Sequence, residues 1–254
     1  VATAASATVS TSTKAREALQ PGSFDIILSE WMGYALVFEC MMETVLKARD
    51  VWLRKDGKGL VLPNTAEIYV QAMADQRDWD DMVGYWGDVY GFKMNGMRKL
   101  LLPEAQVQIV RPESILGGRC LVREFDCQTV KPEHLDVVDA PFELDLTGKL
   151  QGTATEGLDL DDVVPQDAIT AICISFDCHF RHSLLAHAAP LPTGPECTPT
   201  HWKQTVLYLP TPVARKSLLD SNKLTGKISI GRNAQNPRNL DFALTLKTKG
   251  EDVT

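Results

Sequence analysis

The chain changes rhythm near residue 63, from runs of apolar residues to alternation of apolar and polar ones. Before that point, Phe24-Asp25-Ile26-Ile27-Leu28 follows Pro21-Gly22 and reads as a buried strand of a parallel sheet. Helical spacing of Phe38, Met41, Met42, Val45, Leu46 and Ala48 predicts a helix over Val37 to Leu53. Asp56-Gly57 supplies a turn and Gly59-Leu60-Val61-Leu62 a second buried strand. Strand, helix, strand is the rhythm of an α/β sheet. Two strands are too few to stand alone, so residues 1–62 read as the tail of a larger α/β domain.

After Pro63-Asn64 short alternating segments dominate: Ala66 to Met73, Val107 to Val110, Leu121 to Phe125, Phe142 to Leu146, Ile169 to Phe176, Gln204 to Leu209, Lys227 to Ile230 and Phe242 to Lys247. Pro192-Thr193-Gly194-Pro195 and Pro210-Thr211-Pro212 are read as turns between them. Residues 63–254 are therefore expected to form an antiparallel sandwich or barrel, with the acidic stretch Glu156 to Asp167 as a surface insertion. Asp78 to Leu101 stands apart. Trp79, Tyr85, Trp86, Tyr90, Phe92, Met82, Met94 and Met97 exceed what a few turns need for their own core, which is the composition of an interface.

Composition narrows the function. The 254 residues are 44% hydrophobic and 23% charged, ordinary for a soluble globular protein. A net charge of -7 opposes direct nucleic acid binding and suits a cationic partner. No apolar run approaches the roughly 20 residues of a membrane-spanning helix. Val1 to Thr13 is uncharged and lacks the basic start of a secretory signal; a first residue other than Met marks a processed chain or a fragment. Six cysteines without a CxxC pair read as reduced thiols, so the expected location is cytoplasmic, with the nucleus as a second compartment. Cys178, His179, His182, His187, Cys197 and His201 match no zinc spacing, and no metal is expected. There is no glycine-rich phosphate or nucleotide loop.

Chemistry concentrates in Ser29-Glu30-Trp31-Met32-Gly33-Tyr34-Ala35-Leu36-Val37-Phe38-Glu39. Glu30 stands at the carboxyl end of a parallel strand, where open α/β sheets place their sites. Glu39 follows nine residues later at a helix start, and a hairpin-like loop would bring the two carboxylates face to face. Two carboxylates walled by Trp31, Met32, Tyr34 and Phe38 repel unless a cation lies between them. A guanidinium fits: it is planar, always charged and has five donors in a fixed fork. Aromatic walls add cation–π attraction.

Ser29 to Glu39 resembles the double-E loop of the type I protein arginine N-methyltransferase family. Thr200-His201-Trp202 resembles that family's THW loop, and Val89-Tyr90-Gly91-Phe92-Lys93-Met94 its dimerisation arm. Tyr90 to Met97, Leu102 to Ala105 and Asn236 to Leu240 are similar to the branch that carries a zinc finger before its catalytic core. The resemblance implies α/β plus β: the C-terminal part of a Rossmann-like methyltransferase domain (1–62), then an antiparallel β-barrel (63–254) with an inserted helical arm at about 76–102.

It also implies an enzyme that moves methyl from S-adenosyl-L-methionine to arginines of arginine-rich protein substrates, giving mono- and asymmetric dimethylarginine, and that forms a homodimer through the arm. Glu30 and Glu39 would grip the guanidinium, Met32 shape the pocket and Tyr34 line it. His201 and Trp202 would close the slot, Met41 would lie near the sulfonium, and Glu39 or His201 would take the proton. The family's cofactor-binding glycine turn has no counterpart here, so this chain alone is expected to be inactive. A competing reading is a dimeric binding module without catalysis.

Overall fold

The structure, a computed structural model, describes residues 20–147 and 168–254. The expected acidic insertion lies outside the described residues. β1 (Ile26–Leu28) and β2 (Leu60–Leu62) pair in parallel, Ile26 opposite Leu60, across the helix α1 (Met42–Trp52). The helix begins later than its apolar spacing suggests. Leu36, Glu39 and Cys40 have φ of 71°, 71° and 57°, which an α-helix does not admit, so a bent loop and a short 3₁₀ turn take its first residues.

The remaining strands are antiparallel, as their alternation predicts. β3 (Thr65–Met73), β4 (Gln106–Gln108), β5 (Ile115–Asp126), β7 (Ala168–His179) and β9 (Gln204–Ala214) form one sheet in the order β4-β9-β7-β3-β5, with β8 (Leu191–Pro192) beside β7. β6 (Val137–Asp145), β10 (Lys223–Arg232) and β11 (Leu240–Leu246) form the other, in the order β11-β10-β6. The two proline-rich stretches read as turns fare differently. Pro210-Thr211-Pro212 lies inside β9, at an irregularity where pairing jumps from Ile169–Val213 to Ala171–Tyr208. The missing N–H groups fall where the ladder asks for none. Pro192 belongs to the short β8, and the expected turn follows it, closed by Cys197 N–H to Gly194 O at 3.0 Å.

One core joins both parts of the chain. Trp31, Met32, Leu36 and Leu46 pack in the same cluster as Ile68, Phe176, Leu209, Ile230 and Leu246. Polar clasps reinforce it. Buried Arg49 on α1 donates to the carbonyls of Cys127 (3.1 Å) and Val130 (2.8 Å). Gln128 accepts from Val61 N–H and donates to Gly59 O, capping β2 from the barrel side.

β3 and β7 are covered on both faces, so their polar residues must find partners inside. Glu67 accepts from Tyr69 Oη (2.7 Å), sits 2.8 Å from His179 Nε2 and pairs with Arg181. Asp177 pairs with Arg119 at 2.8 Å. Glu67, Asp177 and His179 are the one group with metal-ligand spacing among the described residues, but arginines already balance both carboxylates. Burial alone would raise the Glu67 carboxyl; hydrogen bonds from Tyr69, His179 and Arg181 outweigh it and hold the group at about 2, against an ordinary 4.5. A lowered folded-state value stabilises above the unfolded value and is lost as pH falls toward the folded one. Stability should therefore decline from about pH 4.5 toward 2, by up to about 3 kcal/mol from this group. Urea midpoints at pH 6 and pH 3 test this: Glu67→Gln should flatten the acid limb, and an unaltered slope refutes it.

The aromatic stretch after β3 divides in two. On α2 (Gln76–Met82), Trp79 is buried, donates from Nε1 to Leu209 O (2.8 Å) and packs with Val83, Val110 and Tyr208 on the chain's own sheet. Beyond it, Tyr85, Tyr90, Phe92, Met94 and Leu100 are exposed, the last on α3 (Asn95–Leu101).

Candidate functional site

The loop from β1 to α1 is folded by close approach rather than by helix propensity. Gly33 N–H and C=O bond to Leu36 at 2.9 and 3.0 Å, closing a tight hairpin. A Cβ at Gly33 would stand 2.3 Å from the Phe38 carbonyl oxygen, so only glycine fits. Ala35, Leu36, Glu39 and Cys40 all carry positive φ, which costs roughly 1–2 kcal/mol per residue. Burial of Trp31, Met32 and Leu36 in the shared core holds this shape.

Glu30 is exposed just past β1 and makes no hydrogen bond or ion pair among the described residues. Glu39 is half-buried and already holds a guanidinium, that of Arg238 in the β10–β11 connection. The same turn grips the main chain: Glu39 N–H donates to Arg238 O (2.8 Å), and Cys40 Sγ to Pro237 O (2.7 Å). The Tyr34 and Phe38 rings lie 5.7 Å apart and line a cavity of about 650 Å³ with Val107, Asp241 and Phe242. Neither Glu30 nor Glu39 lines that cavity, which follows the aromatic side of the loop.

Trp202 crosses from the barrel. Its Nε1 donates to Met32 O at 2.9 Å, and its ring meets Phe176 edge-on at 5.6 Å. His201 is exposed, with its ring 4.0 Å from that of Trp202. Of the two barrel residues singled out in the sequence, Trp202 touches the loop, and His201 stacks behind it on the Trp202 ring. Met41 is half-buried against the core and lines a small crevice with Leu135 and Arg232. Arg238 is the residue sequence reasoning missed as a site residue. It is a basic residue in an asparagine-rich turn, and no spacing links it to Glu39.

Residues 64–251 match the model of the arginine methyltransferase oligomerization subdomain. The chain belongs to the protein arginine N-methyltransferase family. It is 35% identical over 228 residues to protein arginine N-methyltransferase 1 of Caenorhabditis elegans, covering 89% of this chain and 58% of that protein. To protein arginine N-methyltransferase 8-B of Danio rerio it is 34% identical, covering 89% and 48%. The chain thus spans about half the length of these relatives. The Trypanosoma brucei PRMT1 enzyme–prozyme heterotetrameric complex with AdoHcy is a structural neighbour at 27% identity and a TM-score of 0.72, covering 93% of this chain and 70% of that one. Arabidopsis thaliana protein arginine methyltransferase 10, at 21% identity and a TM-score of 0.66 over 92% and 70%, shares the fold.

Proposed function

We propose that this methyltransferase chain carries the arginine-reading part of an enzyme that makes mono- and asymmetric dimethylarginine, the type I pattern. The observation that carries the reading is that Glu39, on the loop that also carries Tyr34 and Phe38, binds a guanidinium, while Trp202 fixes Met32 on the same loop. In this reading residues 1–62 end a cofactor-binding domain and residues 63–254 form the substrate barrel, with the arm on a partner subunit.

S-adenosyl-L-methionine would supply an electrophilic methyl group. Toward it the described residues offer a partial fit: Met41 for one rim, and an apolar strand edge exposed at Ile26 and Leu28. The protein's own part is binding and charge. Glu30 and Glu39 hold two edges of the substrate guanidinium, drawing positive charge away from the third nitrogen and restoring its lone pair. Tyr34 and Trp202 exclude water and fix the plane of the group. Glu39 or His201 accepts the proton released.

Met32 sets the product. A second methyl on the same nitrogen needs space beside it, and an unbranched thioether side chain can yield that space. Mass spectrometry of an arginine-rich peptide treated with active protein should show asymmetric dimethylarginine by its neutral loss. A symmetric product, or arrest at one methyl, would sink the assignment.

A further inference from the structure

The turn that carries Arg238 is built to hold it in place. Asn233 Oδ1 accepts from the N–H groups of Gln235 (2.9 Å) and Asn236 (2.8 Å), and Asn236 Oδ1 accepts from Arg238 N–H (3.2 Å). Asn239 N–H donates to Asn236 O at 2.8 Å, closing the turn. Its attachment to the loop uses main-chain carbonyls, those of Arg238 and Pro237. The Arg238 side chain is therefore free to leave without undoing the turn, and it is 68% exposed, against 34% for Glu39. Its guanidinium is the same chemical group that the clamp is read to bind.

We propose that Arg238 is an autoinhibitory residue: an internal guanidinium that occupies Glu39 until a substrate arginine exchanges with it. This rests on the reading of Glu39 as a substrate-binding carboxylate. With Arg238 in place the half-buried carboxylate is never left bare beside Phe38, so its desolvation is met before substrate arrives. Replacing one guanidinium by another conserves the planar donor geometry and the charge. A lysine ammonium, compact and more strongly hydrated, loses more water and offers no fork, so it exchanges poorly. Because every incoming cation must displace the same Arg238 side chain, Arg238 lowers affinity by one common factor and leaves the choice between arginine and lysine to Glu39 itself. The cost is small, because an exposed ion pair is worth up to about 1 kcal/mol, or about fivefold at 1.4 kcal/mol per decade.

Binding of an arginine-rich peptide and of its lysine counterpart to the 254-residue chain, followed by fluorescence anisotropy, tests this. Arg238→Gln should tighten the arginine peptide by about two- to fivefold and the lysine peptide by the same factor. Arg77→Gln, an exposed charge on α2, controls for the change in net charge and should alter neither. Glu39→Gln should weaken the arginine peptide, and adding Arg238→Gln to it should restore nothing. If Arg238→Gln weakens or leaves unchanged a peptide that Glu39→Gln weakens, Arg238 supports Glu39 rather than competing for it, and the inference falls alone. If Glu39→Gln has no effect on either peptide, the substrate reading of Glu39 falls and this inference with it.

Discussion

Replacing Glu39 by Gln in catalytically active protein is expected to slow methyl transfer by at least a hundredfold, on the order of 3 kcal/mol. The substitution keeps the shape of the side chain and removes its charge. Glu39 is held at φ 71° by its neighbours and by the Arg238 carbonyl, so the glutamine amide will occupy the same place. What disappears is a charge-assisted contact whose value rises as positive charge develops on the methylated guanidinium. Transfer of radiolabelled methyl to an arginine-rich peptide measures it. Near-normal turnover would remove Glu39 from the mechanism, and with it the central element of the proposed function.

The second large effect concerns assembly. Tyr90 and Phe92 are 94% and 73% exposed, which for two aromatic side chains in one short turn marks a surface suited to a partner. Tyr90→Ala with Phe92→Ala should convert a dimer into a monomer in sedimentation. Buried aromatic anchors contribute 2 kcal/mol or more apiece, so the dissociation constant should rise about a thousandfold for the pair. A dimer of unchanged strength would show that these rings do not meet a partner. Deleting the whole stretch from residue 76 is the wrong experiment, because Trp79 and Val83 belong to the chain's own core and their loss would unfold it.

Much of this was legible in the sequence. The change from apolar runs to alternation located the passage from the parallel strand pair to the antiparallel sheets, since each sheet environment imposes its own period. The Ser29–Glu39 loop announced itself through paired carboxylates among aromatics. What escaped was conformational or distant. Periodicity over Val37 to Leu53 could not reveal that Glu39 and Cys40 adopt left-handed φ, because the apolar residues serve packing in either conformation. Pro210 and Pro212 resembled a turn because a β-irregularity and a turn tolerate the same missing donors. The division of the aromatic stretch at Val83 depends on which side chains reach the sheet, which spacing alone does not encode. Arg238 was invisible as a site residue because its relation to Glu39 exists only in three dimensions.

That distance along the chain has a consequence for biogenesis. Arg238 meets Glu39 across 199 residues, and Trp202 meets Met32 across 170. Contacts so remote in sequence form late, after intervening strands have paired. While the protein is being synthesised from its N-terminal side, the carboxylate loop emerges long before anything that can shape it. Until the β10–β11 connection has emerged, Glu39 lacks the Arg238 partner that it has in the folded chain, and until β9 has emerged Met32 lacks Trp202.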